Sequence, residues 1–303
     1  MTIEVISPGM FTIVQDLGRP GYGMLGVSRS GAADPIALRL GNMLVGNPEN
    51  SAALEMTLLG GTFRFTTGAS IALTGAECGL PMWRTLTIAA GETLKIGGMQ
   101  SGSRCYLCVH GGINVLLFAG SASTHVLSAL GGFEGRALRR GDVLHIGKPT
   151  TTAANRCIAS ETLALLAPRK ALRVTAGPQA QLFSGASIQA LYKSSFRVSD
   201  DSNRMGLRLD GAHIEAPFGG QMITEGVSLG AIQIPASGQP IILFVDQQTT
   251  GGYPKLANVI TADLPSIGQL RPRDEIKFEL IVPQYAQHLL VEQESLLRGA
   301  CDN

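Results

Sequence analysis

The chain has 303 residues, of which 45% are hydrophobic and only 16% are charged. Its 24 basic and 23 acidic residues leave a net charge of +1, so there is no reason to expect a nucleic-acid-binding or polybasic membrane surface. No apolar run approaches the ~20 residues of a spanning helix, the N-terminus has no signal-peptide pattern, and the five cysteines form no even framework. We therefore expect a reduced, cytoplasmic protein that binds neither nucleic acid nor membrane.

A polar, glycine-containing segment follows the first predicted strand, residues 2–6. Gln15, Asp16 and Arg19 lie there among residues that break regular structure. One interpretation is a loop ion pair between Asp16 and Arg19. The other is a loop that presents a cation and a carboxylate to a ligand, and the sequence leaves both open.

The clearest helix of the sequence begins after Asp34. Asp34 suits the N-cap and Pro35 the first helical position, and apolar residues then recur at helical spacing as far as Leu44. Gly46 ends the pattern. Asp34 is therefore interpreted first as a helix cap, although Ser30 could add a hydroxyl group to a binding site at the same helix start.

Many short strands separated by glycine-rich turns make up the rest of the first half. Such spacing favours a barrel or a sandwich over a parallel, doubly wound sheet. Glu55 and Glu77 are carboxylates among apolar neighbours in these strands, and both could be ordinary hydrogen-bonded residues at strand ends. The predicted strands cover residues 53–57, 61–65, 70–74, 85–88, 93–96, 104–109 and 143–146.

An internal repeat divides the chain. The sequence LRRGDVL at 138–144 matches LRPRDEI at 270–276, and each follows a buried strand that ends in a polar loop. We therefore predict a mainly β protein with a few short helices, a terminal helix from residue 283, and two related domains. Their predicted bounds are 1–168 and 169–303, with an exchange of strands between them left open.

The most polar turn of the second half follows a buried strand predicted at residues 240–245. It runs from Asp246 to Lys255 with the sequence DQQTTGGYPK, and its two adjacent glycines let the backbone approach another group. Pro254 suits the first turn of a helix over residues 254–260, and a strand–turn–helix arrangement exposes backbone N–H groups to an anion. A turn whose side chains cap their own backbone is the plain alternative.

Several common catalytic motifs are absent from the sequence. It contains no P-loop, no dinucleotide-binding fingerprint in a strand–helix context, no His-Glu-x-x-His zinc motif and no nucleophile elbow in the right context. It also lacks an Ala/Val-Met-Lys-Met biotin-attachment tetrapeptide. Biotin, if this protein meets it, is therefore carried by another protein.

One protein family is resembled by a series of segments in order along the chain, namely residues 14–21, 26–34, 42–47, 54–57, 73–76, 204–209 and 246–254. This is the allophanate hydrolase subunit 2 family, also called the biotin-dependent carboxyltransferase family, which includes a subunit of bacterial 5-oxoprolinase and resembles the carboxyltransferase region of urea carboxylase. The resemblance implies two cyclophilin-like β-barrel domains, in agreement with the predicted strands and repeat.

The resemblance implies a subunit of an ATP-dependent cyclic amide hydrolase that opens 5-oxo-L-proline to L-glutamate and is inactive without its partners. The implied partners are an allophanate hydrolase subunit 1-like protein and a LamB/YcsF-like protein, and the implied cofactor is ATP with magnesium. Two alternatives stay open. One is a carboxyltransferase that acts on urea or a related amide with carboxybiotin from a separate carrier, and the other is a regulatory protein that binds a subunit 1-like kinase inhibitor.

The candidate site residues follow from this implied chemistry. A lactam is a poor electrophile, so phosphorylation of its carbonyl oxygen would need cationic or N–H donors to hold the phosphates. We assign Asp16, Glu225 and Asp246 as candidate catalytic residues, which could hold a metal or orient a nucleophile, and we assign no dedicated metal ligands. The candidate binding residues are Gln15, Arg19, Ser30, Asp34, Arg204, Arg208, Gln248, Thr249, Thr250, Gly251, Gly252, Tyr253 and Lys255.

Some positions depart from the family pattern. The family usually has an aromatic residue, an arginine and a glycine where this chain has Leu207, Ala122 and Arg273. Because Ala122 removes a possible anion contact, the sequence leaves open whether the first-half loop binds the same group as in relatives.

Overall fold

The structure, a computed structural model, describes residues 1–149, 151–152 and 155–300. The chain divides into two compact units. The first unit contains Met1–Arg19, Ser30–Leu166 and the end of the chain from Ser295, and the second contains Pro20–Arg29 and Ala167–Glu294. The short segment Pro20–Arg29 thus belongs to the second unit, although the predicted domain bounds assign it to the first.

Two antiparallel five-stranded sheets form the first unit. Its elements are β1 Thr2–Ser7, β2 Phe11–Gln15, α1 Pro35–Leu44, β3 Ala53–Thr57, β4 Thr62–Phe65, β5 Ala69–Glu77, β6 Thr85–Ile88, β7 Thr93–Lys95, β8 Ser101–Val109, β9 Ile113–Asn114, β10 Val143–Ile146 and α2 Ser160–Leu165. The strand orders are β7-β4-β1-β10-β9 and β2-β3-β8-β5-β6. Side chains of both sheets meet in one apolar core, which includes Ile3 of β1 and Leu54 of β3. Because side chains alternate along a strand, the other face of the second sheet presents Ala53 and Cys108 to Leu40 of helix α1.

A closed seven-stranded barrel forms most of the second unit. The elements of this unit are β11 Ala171–Ala176, α3 Gly185–Lys193, β12 Phe196–Val198, β13 Gly206–Gly211, β14 Glu225–Gly226, β15 Ala231–Gln233, β16 Ile241–Leu243, β17 Thr250–Gly251, β18 Lys255–Val259, α4 Leu264–Gln269, β19 Glu275–Leu280 and the larger part of α5 Pro283–Gly299, whose residues from Ser295 belong to the first unit. The barrel order is β11-β18-β15-β16-β13-β12-β19, and the barrel closes where β19 pairs with β11 in parallel. Strands β14 and β17 form a separate two-stranded ribbon.

The predicted mainly β fold with a few short helices is confirmed. The terminal helix also begins at the predicted residue, Pro283. Within the part of the chain that the structure describes, no helix is both long and apolar enough to cross a membrane.

The predicted helix over residues 254–260 is wrong, because this segment is strand β18, Lys255–Val259. Ala257 pairs with Ala176 of β11 on one side and with Ile232 of β15 on the other. Backbone pairing on both sides outweighs a local helical pattern. Pro254 has no N–H to donate and lies just before the strand, where a proline is tolerated.

Helix α1 begins as predicted. Asp34 is its N-cap, with the Oδ1 atom accepting a hydrogen bond of 3.0 Å from Ala37 N, and Pro35 is the first helical residue. A carboxylate here satisfies a backbone donor that has no partner within the helix and favours the positive end of the helix dipole.

Replacing Asp34 with alanine is expected to lower the free energy of unfolding by about 0.5–2 kcal/mol, because the cap is lost. Thermal or urea denaturation measures this loss. Asp34→Asn is the matched control, since its side-chain oxygen still accepts from Ala37 N. An unchanged melting temperature in Asp34→Ala, together with loss of ligand binding, would favour a role in the site instead.

The sequence repeat corresponds to the same turn in both units. Asp142 Oδ2 accepts a hydrogen bond of 2.7 Å from Arg139 N, and Asp274 Oδ2 accepts one of 2.9 Å from Arg271 N. The residue before each aspartate has a left-handed backbone, with φ of 89° at Gly141 and 73° at Arg273. Arg273 therefore adopts a conformation that glycine adopts without a steric penalty.

Replacing Arg273 with glycine is expected to raise stability by roughly 0.5–1 kcal/mol, because it relieves the left-handed backbone of a residue with a Cβ. The ion pair that is lost, to Asp200, joins side chains that are 78% and 65% exposed and contributes little. Gly141→Arg is the mirror-image control and is expected to destabilise by a similar amount. Urea denaturation tests both, and a destabilised Arg273→Gly variant would contradict the expectation.

Candidate functional site

A polar cluster in the second unit surrounds Lys255, the first residue of β18. Its side chain is only 3% exposed, and Nζ forms a salt bridge with Glu225 Oε1 of the ribbon. Gln179 joins the two, since its Nε2 donates to Glu225 Oε1 at 2.9 Å and its Oε1 accepts from Lys255 N at 3.1 Å. The barrel wall therefore presents a buried cation to a carboxylate near the surface.

The pKa of Glu225 lies below its ordinary value. The hydrogen bond with Lys255 is the main cause, and the hydrogen bond from Gln179 adds to it, since both favour the charged form. Glu225 therefore stays ionised at neutral pH and keeps the cluster close to electrically neutral.

Gln233 of β15 lies directly opposite Lys255 in the strand pairing. Its side chain is buried, and its Nε2 atom has no hydrogen-bond partner among the described residues. This atom would be 2.6 Å from a Cβ at Gly251, so glycine at that position leaves space for the amide. A buried amide donor without a partner is unusual and calls for an explanation.

Arg204 and Asp246 form a second buried ion pair. Nε of Arg204 donates to Asp246 Oδ2 at 2.7 Å and Nη2 donates to Oδ1 at 3.3 Å, with the side chains 9% and 7% exposed. The backbone supports the pair, because Asp246 N donates to Arg204 O at 2.9 Å. The carboxylate after strand β16 is thus matched by the guanidinium that precedes β13.

The other candidate binding residues of the second unit, apart from Arg208, lie in the β14–β17 ribbon or directly beside it. Val227 N donates to Thr249 O at 3.1 Å, and Met222 N donates to Gly252 O at 2.8 Å. Arg208 lies within β13, exposed, at the position that pairs with Ile241. Thr250 and Tyr253 are exposed, and Gln248 precedes β17 in the same loop.

Asp16 lies in the first unit and is buried. Its Oδ1 accepts from Gly18 N at 2.8 Å and from Ser121 Oγ at 2.7 Å, and its Oδ2 accepts from Ala122 N at 2.7 Å. Ser123 Oγ also donates to Oδ1, at 2.5 Å. Both carboxylate oxygens are therefore engaged by the chain itself, which orders the segment 121–123.

Gln15, Arg19 and Ser30 converge on the same segment. Gln15 Nε2 donates to Thr124 O at 2.9 Å, and Ser30 Oγ donates to the same oxygen at 3.0 Å. Arg19 donates to Ser123 O, and its guanidinium lies 5.4 Å from the centroid of the Phe118 ring. All three side chains therefore help to hold the loop that Asp16 orders.

A buried network links Asp34 to Glu55 in the first unit. Asp34 N donates to the Tyr106 hydroxyl at 2.8 Å, and that hydroxyl donates to Glu55 Oε2 at 2.7 Å. Burial, and then the charge of Glu55, raise the pKa of Tyr106 well above its ordinary value, so the phenol stays protonated. Glu55 lies in the middle of β3 and is fully buried, so its interpretation as a strand-end residue is wrong.

Sequence reasoning missed several polar partners. Gln179 and Gln233 complete the Lys255 cluster, and Ser121 and Ser123 hold Asp16. The sequence does contain an indication for Gln233, because this residue is a lone amide within the apolar run from residue 231 to residue 234. Over the described ranges, no group of three or more His, Cys, Asp or Glu side chains is placed to hold a metal ion.

The family of the chain follows from comparison with known proteins. The family model described as "Carboxyltransferase domain, subdomain A and B" matches residues 25–280. The chain therefore belongs to this carboxyltransferase-domain family, which confirms the resemblance drawn from its motifs.

Individual relatives match nearly the whole chain. The chain is 39% identical over 284 residues to a 5-oxoprolinase subunit of Escherichia coli strain K12, covering 91% of this chain and 90% of that one. It is 36% identical over 304 residues to the corresponding 5-oxoprolinase subunit of Haemophilus influenzae, covering 97% and 96%. The crystal structure of K. lactis urea amidolyase superposes with a TM-score of 0.90 at 31% identity, covering 98% of this chain but only 20% of that one.

Proposed function

We propose that this chain is a subunit of an ATP-dependent 5-oxoprolinase, which opens 5-oxo-L-proline to L-glutamate. One observation carries the proposal. The two 5-oxoprolinase subunits match this chain over at least 90% of both lengths, so the similarity extends over the subunit as a whole.

The polar clusters supply chemistry that suits a small lactam acid. The substrate has a carboxylate and an amide carbonyl, and opening the ring adds water across the C–N bond. A buried ammonium such as Lys255 attracts the carboxylate, and side-chain amides donate to its oxygens. We assign Lys255 to binding of the substrate. We assign its salt-bridge partner, Glu225, to controlling the access of the substrate to Lys255. The Arg204–Asp246 pair shapes the adjoining loop, and Asp16 orders the loop of the first unit.

The fit of ATP and magnesium to this chain alone is poor. Arg204 is already paired with the buried Asp246, and Lys255 is assigned to the substrate carboxylate, so neither offers its positive charge to a triphosphate. We therefore route no step through ATP on this chain and propose that the nucleotide is bound with the help of other subunits. The proposed partners are an allophanate hydrolase subunit 1-like protein and a LamB/YcsF-like protein.

A carboxyltransferase that acts on urea or a related amide is the second candidate. The superposition on urea amidolyase, at a TM-score of 0.90, favours it. In that case carboxybiotin would come from a separate carrier. The chain spans only a fifth of that relative, so the comparison leaves most of the larger protein without a counterpart.

A reconstituted assay separates the two candidates. The chain is purified with its proposed partners and supplied either with ATP and 5-oxo-L-proline or with urea and a carboxylated biotin carrier. We expect glutamate from the first mixture and no carboxylated urea from the second. Carboxylation of urea without glutamate formation would replace the proposal with the second candidate.

A further inference from the structure

The Lys255 ammonium is buried, yet its counter-ion comes from the surface. The Lys255 side chain is 3% exposed, whereas that of Glu225 is 42% exposed. An acidic side chain that reaches in from an exposed ribbon can leave without exposing apolar surface of its own. The carboxylate beside Lys255 is therefore in contact with water on its outer side.

Gln233 adds a donor at the same place. Gln233 is the pairing partner of Lys255 at a register shift between β15 and β18, and both side chains are buried. Gly251, which Gln233 approaches, pairs in the ribbon with Glu225, the salt-bridge partner of Lys255. Gln233 Nε2 is buried and makes no hydrogen bond within the described chain. A Cβ at Gly251 of the ribbon would lie 2.6 Å from this atom, so the amide points at the ribbon.

The ribbon that carries Glu225 is short and lies outside the barrel sheet. Strands β14 and β17 contain two residues each, and isolated two-stranded pieces of this size are marginally stable. The segment that carries Glu225 therefore has backbone pairing on one side only, whereas β18 of the barrel wall is paired with β11 and with β15.

We propose that Lys255, Gln233 and Gln179 form a binding subsite for the carboxylate of a small ligand, and that Glu225 occupies this subsite until the ligand displaces it. The ligand carboxylate would replace Glu225 as the partner of Lys255 and Gln179, and it would give Gln233 Nε2 the acceptor that it lacks. The inference rests on the proposed function in that the carboxylate is that of 5-oxo-L-proline.

Binding measurements on the full chain test the subsite without relying on turnover. The probes are acetate, 5-oxo-L-proline and 2-pyrrolidone, which is the same lactam without the carboxylate. We expect binding of acetate and 5-oxo-L-proline by calorimetry or NMR titration, and at least tenfold weaker binding of 2-pyrrolidone.

Matched variants assign the effect to individual groups. Gln233→Leu is expected to weaken acetate and 5-oxo-L-proline binding about tenfold, since one hydrogen bond to a charged group is lost. Glu225→Gln is expected to strengthen both, because the competing charge is gone. Gln239→Leu removes an amide elsewhere in the same unit and should change nothing. Thermal melts verify that each variant is folded.

The outcomes separate the subsite from the proposed function. Acetate affinities of Gln233→Leu and Glu225→Gln within twofold of the wild type would overturn the subsite, even if the assembled enzyme forms glutamate. Equal binding of 2-pyrrolidone and 5-oxo-L-proline would overturn it as well. Acetate binding that responds to the variants as expected, in a chain whose complex never opens 5-oxo-L-proline, would support the subsite and reject the function.

Discussion

Replacing Lys255 with methionine is expected to lower kcat/KM for 5-oxo-L-proline roughly 10- to 100-fold in the assembled enzyme. Loss of a charged hydrogen bond to a substrate carboxylate corresponds to a factor of this size. The fold should tolerate the change, because methionine fills a similar volume and Glu225, which is 42% exposed, is left in contact with water. Steady-state kinetics and a thermal melt measure the two effects separately.

Lys277→Met is the matched control for this variant. Lys277 is an exposed lysine of β19, so its replacement removes the same charge from the same unit without touching the cluster. Its kinetics should equal those of the wild type. If Lys255→Met also retains wild-type kcat/KM, Lys255 does not contact the substrate.

Replacing Asp246 with alanine is expected to lower the free energy of unfolding by about 3–5 kcal/mol, because the buried Arg204 loses its carboxylate. For a domain of this size such a loss lowers the melting temperature by roughly 6–20 °C. The double variant Arg204→Met, Asp246→Leu should recover much of the stability, since a buried ion pair replaced by apolar residues is often neutral. Urea denaturation of the single and double variants measures the loss and its recovery.

The exposed pair Asp200–Arg273 is the control for the stability loss expected in Asp246→Ala. Asp200→Ala should change stability by less than about 1 kcal/mol, because ion pairs in water contribute little. A stability loss for Asp246→Ala as small as that for Asp200→Ala would contradict a structural role for the buried pair. A double variant that is stable but inactive would return Asp246 to the group of catalytic candidates.

Local features of the fold were predictable from the sequence. Asp34 and Pro35 mark the start of α1 by capping chemistry that involves only neighbouring residues. The repeated turn at Asp142 and Asp274 was visible because the aspartate accepts a hydrogen bond from a residue three positions earlier. In both cases the interaction that forms the structure joins residues that are close together in the sequence.

The segment that follows Pro254 shows where local reasoning fails. Its residues suit a helix by pattern, yet they lie between β11 and β15 of the barrel. The hydrogen bonds that decide the outcome come from strands far away in sequence, and no local rule includes them.

The partners of the candidate side chains were also beyond reach of the sequence. Lys255 meets Gln179, which lies 76 positions away, and Asp16 meets Ser121, which lies 105 positions away. The candidates predicted from the sequence in the second unit include both members of two ion pairs, Lys255 with Glu225 and Arg204 with Asp246. Their pairing could be read only from the fold.

Coupled turnover by the assembled enzyme tests the central proposal most directly. The two partner proteins are incubated with ATP and 5-oxo-L-proline, with this chain present, omitted or added back, and glutamate and ADP are measured together. We predict that both products form in proportion only when this chain is present and that adding it back restores them. Equal glutamate formation without this chain would contradict its role as a 5-oxoprolinase subunit.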